Sequence, residues 1–388
     1  MATATIASMS NGLRSAIGLA VLMAACAAPP PSREPVTAPP AGPSPAIASV
    51  VRDDDLEVPP TLAGDRLEAI AASDVGFVAV GVRDRNGLDD AMIWFSEDGL
   101  RWESVGDERL LAGGSLVDVA SGPEGFVAVG TDRVRDVDPD GLILVSRDGR
   151  QWRRADAGVS FAYVMWVAAG ADGWLAGGAE ADTEPVGLIW RSDDAVGWQR
   201  HFSSDVLGPN ASFEVAPDGD RWVAFGAAGE HGPLGAIWSS PDRAIWTRED
   251  VEAQAGDMVA KVVTAFAATP GARLAIGQFG SSCGLGGSCP GELRAWRSQA
   301  GEGWRLLPRD VWPFFGDVAV VASRRDLVLA HSGGIVASTD AWRWLELAAA
   351  DPAGGVVRDV AVRDGTVVLV GERFAGADVF PYLAAASP

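Results

Sequence analysis

Ser96-Glu97-Asp98-Gly99-Leu100-Arg101-Trp102 returns one repeat later as Ser146-Arg147-Asp148-Gly149-Arg150-Gln151-Trp152. In such a turn the Asp side chain accepts backbone N–H bonds, Gly takes the positive-φ position, and Trp packs between repeats. The spacing from Ser to Trp holds six times, which predicts a repeat architecture held by structural turns. The turn residues identified in this way are Ser96, Asp98, Gly99, Trp102, Ser146, Asp148, Gly149, Trp152, Ser192, Asp194, Trp198, Ser240, Asp242, Trp246, Ser338, Asp340 and Trp344.

A short apolar run also recurs seven times, from Gly76-Phe77-Val78-Ala79-Val80-Gly81 to Thr366-Val367-Val368-Leu369-Val370-Gly371. Continuous apolar runs of this length indicate strands that are buried on both faces. Another apolar segment precedes each run, and a third strand leads into the turn. The pattern predicts an all-β fold, a single β-propeller of about seven four-stranded blades.

The last repeat stops before its fourth strand, and residues 49–57 can supply that strand from the other end of the chain. Such pairing would close the ring and remove free sheet edges. The predicted organisation is a signal peptide at 1–25, a Pro-rich tether at 26–48 and the propeller at 49–388. A disordered, extended tether is expected because the Pro/Ala/Ser composition cannot bury a core.

The first residues are typical of an export signal, with Arg14 ahead of a short apolar stretch. Met23-Ala24-Ala25-Cys26 resembles the bacterial lipobox, which implies lipidation of Cys26 and anchoring at the outer face of the cytoplasmic membrane or in the cell envelope. An ordinary cleaved signal is the alternative, and Met9 is an alternative start. Cys283 and Cys289 are expected to form a disulfide, because such bonds persist in exported proteins.

The formal net charge of -21 argues against nucleic-acid binding, which needs clustered Lys and Arg. Acidic residues concentrate in the loops between second and third strands. Asp136, Asp138 and Asp140 have the alternating spacing of a Ca²⁺ loop, but Arg147 stands where the bidentate Glu would be. A plain acidic loop is favoured over a structural Ca²⁺ site, and no other cofactor is expected.

The Ser–Asp–Gly–Trp turns resemble the Asp-box of the BNR-repeat, sialidase-like superfamily. That resemblance implies a propeller and raises the question of glycosidase activity, since sialidases use an Arg cluster, a Tyr/Glu nucleophile pair and an Asp acid/base. Tyr163 and Tyr382 are the only tyrosines, and both are expected to pack. His201, His231 and His331 lie in different repeats and form no catalytic or metal-binding spacing.

The expected function is a non-catalytic cell-envelope lipoprotein, a monomer that binds a protein or envelope polymer through its acidic loop face. The membrane is contacted through the lipid anchor only, and no catalytic residues are assigned. The alternative is a diverged glycoside hydrolase of the sialidase-like superfamily. A third interpretation is an assembly factor resembling the BNR-type propeller that helps build photosystem II, although that family carries a positive patch and this chain is acidic.

Overall fold

The structure is a computed structural model of the 388-residue chain. The residues that it describes are 49–51, 56–85, 89–132, 140–155, 157–180, 187–202, 207, 211–228, 234–252, 254–255, 258–281, 291–299, 302–314, 318–323, 326–331, 334–349 and 355–387.

Seven antiparallel sheets follow one another along the chain, and each forms one blade. The prediction of an all-β propeller with seven four-stranded blades is confirmed, with one additional two-residue strand at the inner edge of blade 5. The strands are β1 (Ser49–Val51), the outer strand of blade 7; β2 (Arg66–Ser73), β3 (Gly76–Asp84), β4 (Asp89–Ser96) and β5 (Glu103–Ser104) in blade 1; β6 (Gly114–Gly122), β7 (Gly125–Asp132), β8 (Asp140–Ser146) and β9 (Arg153–Arg154) in blade 2; β10 (Ala162–Gly170), β11 (Gly173–Glu180), β12 (Gly187–Ser192) and β13 (Gln199–Phe202) in blade 3; β14 (Ser212–Asp218), β15 (Arg221–Ala228), β16 (Leu234–Ser240) and β17 (Thr247–Glu249) in blade 4; β18 (Gln254–Ala255), β19 (Met258–Ala268), β20 (Arg273–Ser281), β21 (Glu292–Ser298) and β22 (Arg305–Leu306) in blade 5; β23 (Val318–Ser323), β24 (Asp326–His331), β25 (Gly334–Ser338) and β26 (Leu345–Ala349) in blade 6; and β27 (Gly355–Arg363), β28 (Thr366–Ala375) and β29 (Asp378–Ser387) in blade 7. A single turn of helix, α1 (Glu108–Leu111), connects blades 1 and 2, with Asp107 as its N-cap.

The second strand of each blade is apolar because neighbouring blades cover both of its faces. In β3 the first seven residues are all buried, and β7 and β28 show the same pattern. Seven apolar clusters result, one at each interface between consecutive blades. The last joins blade 7 to blade 1 and includes Phe77, Val368 and Ala385. The core is therefore a ring around the propeller axis.

Blade 7 takes its outer strand from the start of the propeller. Ser49 pairs with Ser387, Val50 with Ala386 and Val51 with Ala385, so the two ends of the described chain lie in one sheet. Of the loops between second and third strands, much of the first five lies outside the described residues.

Candidate functional site

The inner strands of the seven blades surround the propeller axis, and three of them carry a carboxyl group at the same level. Asp118 pairs with Val129, Glu214 with Phe225 and Asp359 with Val370. Each of these three partners is the fifth residue of the second strand of its blade. The other four blades have Ala69, Trp166, Val263 and Ala319 at the corresponding position. The carboxyl groups belong to blades 2, 4 and 7, which are not adjacent to one another.

Two of these carboxyl groups bridge neighbouring blades. The Val167 N–H of blade 3 donates to Asp118 Oδ2 at 2.7 Å, and the Val119 N–H donates to Oδ1 at 2.8 Å. The Ile70 N–H of blade 1 donates in the same way to Asp359 Oδ2 at 2.9 Å, with Val360 N–H at 2.7 Å from Oδ1. These amides lie on the inner edge of each sheet, where no further strand can pair with them. Asp118 and Asp359 therefore satisfy buried backbone donors.

Glu214 differs because no described residue donates a hydrogen bond to it. Its side chain is exposed, and since it lies on an inner strand this exposure is to the central channel. Burial among the inner strands raises its pKa to about 7, and the charge of Asp118 contributes. A carboxyl with such a pKa is about half protonated at neutral pH, which suits a general acid.

The charges of these carboxyl groups affect one another's pKa. Burial raises the pKa of Asp118 to about 6, against the lowering effect of its two amide bonds. Burial raises the pKa of Asp359 to about 7, and the charges of Asp118 and Glu214 raise it further. The pairing register places the three residues at the same level of the ring of inner strands.

An apolar surface lies beside them. The inner strands of blades 2 and 3 each contain a β-bulge, at Val117 and Met165, one residue before the level of the carboxyl groups. These side chains are 39% and 59% exposed, whereas most apolar residues of the inner strands are covered. Each inner strand begins at the face of the blade connections. Val117 and Met165 therefore lie on the way from that face to Asp118 and Glu214.

The Ser–Asp turns identified from the sequence lie on the opposite face. In the first of them Gly99 N–H donates to Ser96 Oγ at 2.8 Å, Leu100 and Arg101 N–H donate to Asp98 Oδ1 at 2.8 and 2.9 Å, and Trp102 Nε1–H donates to the Gly99 carbonyl at 3.1 Å. Equivalent Asp–amide bonds are made by the aspartates Asp148, Asp194, Asp242 and Asp340. In the fifth repeat, which has no Asp, the Ser298 hydroxyl donates to the Glu302 carbonyl instead. All these contacts are internal to the turn.

The backbone at the Gly position of these turns stays left-handed when Gly is absent. Gly99 and Gly149 have φ values of 80° and 74°, and Ala195, Arg243 and Ala341 have 62°, 62° and 54°. The turn geometry is therefore kept by the Asp–amide bonds even where the residue is unfavourable.

A groove of about 1020 Å³ also opens on this face, across blades 1 to 3. Its lining includes Asp148 and Asp194, whose oxygens are already used in the turns, and Glu124, which accepts the Trp174 Nε1–H at 2.8 Å. The carboxylates of Asp148, Asp194 and Glu124 are thus occupied by structural bonds.

Other residues singled out from the sequence divide into two groups. Asp140 begins β8 and accepts the Phe161 N–H at 3.1 Å, whereas Asp136 and Asp138 lie outside the described residues. Cys26, Cys283 and Cys289 also lie outside them, so the calcium site, the lipid anchor and the disulfide stay predictions. Within the described ranges, no three His, Cys, Asp or Glu side chains are grouped closely enough to hold a metal.

In the described part of the loops between second and third strands, three acidic side chains pair with arginines. Asp132 accepts a hydrogen bond from Arg154 and Glu180 accepts one from Arg200. Asp90 lies 3.0 Å from Arg85 Nε. Among the helices of the described chain, none has the length and apolar character needed to cross a membrane.

No protein-family model matches this chain, and no curated protein is detectably similar to it. Solved structures are similar in fold. An α-L-arabinofuranosidase from Fusarium graminearum is 12% identical over 88% of this chain and 97% of that chain, with a TM-score of 0.45. The β-propeller domain of the Trilobed protease from Pyrococcus furiosus is 10% identical over 84% and 94%, with a TM-score of 0.51. An acylaminoacyl peptidase from Pyrococcus horikoshii is 10% identical over 84% of this chain but 52% of that chain, with a TM-score of 0.52. At these identities the likeness establishes the propeller fold.

These similarities contradict the prediction that the chain is not an enzyme. The fold is shared with the propeller domain of a protease and with an acylaminoacyl peptidase, so the architecture gives no ground for excluding catalysis. The prediction rested on the missing sialidase residues. It overlooked carboxyl groups on inner strands, which the sequence marks only by a charge inside an apolar segment, seven residues before the second strand begins.

Proposed function

We propose that this protein is a glycoside hydrolase whose chemistry takes place in the central channel. Hydrolysis of a glycosidic bond needs one protonated carboxyl group, which gives its proton to the leaving oxygen, and one ionised carboxyl group, which acts as base or nucleophile. The observation that carries the proposal is Glu214, a carboxyl on the inner strand of blade 4 at the same level as Asp118, to which no described residue donates a hydrogen bond and whose pKa is about 7.

Glu214 has the properties of the proton donor. It is exposed to the channel, so a bound substrate can reach it, and no described amide holds its oxygens. Burial keeps part of the population protonated at neutral pH, because the charged form is poorly solvated among the inner strands. The two neighbouring residues, Phe213 and Val215, belong to the apolar packing between blades 3 and 4 and fix the backbone of β14.

Asp118 has the properties of the ionised partner. Its pKa of about 6 leaves it mostly charged at neutral pH, and two amide N–H groups stabilise that charge. In the proposed reaction Glu214 gives its proton to the glycosidic oxygen as the bond from that oxygen to the anomeric carbon breaks. A water oxygen bonds to the anomeric carbon, and the proton that it loses passes to Asp118.

This assignment favours the hydrolase over the binding protein expected from the sequence. It uses none of the residues that the sialidase resemblance implies, since neither Tyr163 nor Tyr382 takes part. Entry is proposed from the face of the blade connections, past Val117 and Met165, because the bulges place these exposed side chains ahead of the carboxyl groups.

The test is hydrolysis of a panel of aryl glycosides and polysaccharides by the purified chain, followed by released chromophore or new reducing ends. Glu214→Gln keeps the side-chain size but cannot donate a carboxylic proton, and we expect the rate to fall about 10²- to 10⁴-fold. Glu68→Gln is the matched control, because Glu68 lies on the inner strand of blade 1 and is paired with Arg66 at 3.4 Å. Absence of hydrolysis across the panel, or an equal rate in the Glu214 variant, would overturn the proposal.

A further inference from the structure

Phe161 is the one large apolar residue of the described ranges that is both strained and exposed. Its φ is 53°, in the left-handed region that bulky side chains avoid, and its side chain is 59% exposed. The other described non-glycine residues with positive φ lie in the Ser–Asp turns or, as Asp364, in the hairpin between β27 and β28. Both kinds of turn belong to the opposite face, so the repeat does not account for Phe161.

Hydrogen bonds to blade 2 hold this strained residue in place. Phe161 N–H donates to Asp140 Oδ1 at 3.1 Å, and Gly141 N–H donates to the Val159 carbonyl at 2.8 Å. Phe161 belongs to neither of the apolar clusters on the two sides of blade 3, so packing does not offset the strain. Strain of this kind persists only where the surrounding structure fixes it, and it occurs preferentially at binding and catalytic sites.

The inner strand β10 begins directly after Phe161 and presents one apolar side to solvent. Ala162 and Val164 are buried in the cluster between blades 2 and 3. Of the alternate residues, Tyr163 is half-buried and Met165 is 59% exposed. Residues 157–171 contain no charged side chain. Phe161 and Met165 are four residues apart, about 13 Å at the strand rise of roughly 3.3 Å per residue.

The same strand continues to the level of the channel carboxyl groups. Trp166 stands at that level in blade 3, and the Val167 N–H donates to Asp118 Oδ2 at 2.7 Å. A ligand that extends from the carboxyl groups toward the face of the blade connections therefore passes Met165 before it reaches Phe161. One sugar ring cannot cover that distance, whereas a chain of sugars can. The uncharged surface fits the C–H faces of sugar rings, which bind by dispersion.

We infer that the substrate is a polysaccharide chain and that Phe161 is its outer binding platform, on which one sugar ring stacks while the bond to be cleaved lies at Glu214. This inference rests on the proposed function. Phe161 contacts the chain equally before and during bond cleavage, so it lowers KM and leaves kcat unchanged.

The experiment measures binding without hydrolysis, in the full chain carrying Glu214→Gln. Native gels containing soluble cellulose derivatives, xylan, mannan or arabinan show which polysaccharide retards the protein. Calorimetry then gives the Kd of its oligomers of two to six sugars. We expect the Kd to fall with length, and Phe161→Asn should raise the Kd of the longest oligomer about three- to tenfold while leaving that of the disaccharide unchanged.

Further variants separate the ring from the strained backbone. Asn adopts a positive φ more readily than Phe, so Phe161→Asn should raise the thermal unfolding midpoint by about 2 °C. Phe161→Trp keeps an aromatic face and should keep the affinity. The matched control is Phe202→Asn, because Phe202 is 44% exposed at the end of the outer strand of the same blade, and its loss should leave every Kd unchanged.

Each outcome bears on one claim. Retardation by none of the four polysaccharides, a Kd independent of length, or an unchanged Kd in Phe161→Asn would overturn the platform, and cleavage of short glycosides would still support the hydrolase. Loss of binding with a lowered midpoint would assign the ring a structural role and overturn it too. Binding of long oligomers that depends on Phe161, in a chain whose Glu214 form cleaves none of them, would support the platform and contradict the hydrolase.

Discussion

The turns and the channel shift the pKa of aspartate in opposite directions. In the turns, backbone amides of the next residues hold the pKa of Asp148, Asp194 and Asp242 below the ordinary value. In the channel, burial raises the pKa of Asp118 and Asp359 to about 6 and 7. The turn aspartate recurs in five blades, whereas the channel carboxyl group occurs in three of seven.

That difference separates structural from functional charge in a repeat protein. A residue that every repeat needs for its own geometry is present in most copies and has its oxygens occupied inside the repeat. A residue that serves the assembled ring needs only a few copies, so it appears as an exception to the repeat. Glu214 is the clearest such exception, because it is a charged residue within an inner strand and no described residue donates a hydrogen bond to it.

The largest expected effect is a pH dependence of stability with opposite signs for the two regions. Since burial raises the pKa of Asp118 and Asp359 above the ordinary Asp value of about 3.9, the folded state holds protons that the unfolded state has released. Protonated Asp118 and Asp359 therefore favour the folded state. Their contribution to the free energy of unfolding is complete below about pH 4 and is lost as the pH rises through about 6 to 7. We expect roughly 3 kcal/mol in the free energy of unfolding, allowing for water in the channel. The turn aspartates act in the other direction, and their contribution is lost as the pH falls below about 3.9.

Urea unfolding between about pH 4.5 and 7.5 measures how the channel carboxyl groups change the free energy of unfolding with pH. The comparison is with the double variant Asp118→Asn/Asp359→Asn, which should show a flatter profile. Glu214 also loses the contribution of Asp118 to its raised pKa, which adds to the flattening. Groups outside the channel act equally in both proteins, including His331, whose pKa is lowered by burial. A stability that rises equally with pH in both proteins would contradict the assignment of the channel carboxyl groups.

A smaller effect is expected from Gly149→Ala on the turn face. Gly149 has φ of 74°, and an added Cβ would lie 2.5 Å from the Phe95 ring of blade 1. Strain and overpacking together should lower the free energy of unfolding by about 2–3 kcal/mol. The matched control is Gly158→Ala, where φ is 54° but no atom lies within 4 Å of the added Cβ, so only strain remains. Equal losses in the two variants would mean that packing between blades 1 and 2 does not depend on this turn.

The smallest effect is expected from Asp148→Ala. It removes the acceptor of the Arg150 and Gln151 amides but leaves them at an exposed turn, where water replaces the carboxylate. A loss of about 1 kcal/mol in chemical unfolding is expected, with hydrolysis unchanged. Asp220→Ala, at an exposed turn of blade 4, should be neutral. A fall in hydrolytic rate in a fully folded Asp148 variant would break the separation between the two faces.

The fold was predictable because each blade is specified locally. The run Gly76–Gly81 needs apolar neighbours on both faces, and the turn from Ser96 to Trp102 specifies a hairpin without reference to the rest of the chain. Seven copies of such units leave few alternatives to a closed ring. The added strand β18 was not foreseen, because two residues carry too little pattern.

The candidate site was not predictable in the same way. Asp118 and Asp359 are far apart in sequence, and only ring closure brings them across one channel. The sequence pattern draws attention to loops, histidines and the sialidase residues, whereas the structure points to charged residues inside the inner strands. Asp118, Glu214 and Asp359 each lie seven residues before the start of a second strand. An acidic residue at this position is a sequence signal that would have identified all three.

The pairing of Ser49–Val51 with β29 gives the propeller a mechanical property. A pulling force on the chain ahead of Ser49 acts first on three residue pairs at the perimeter of blade 7. The inner strands, which hold the channel carboxyl groups, lie three strands away from that point of load. Tension from this end would therefore peel an outer strand before it could deform the channel.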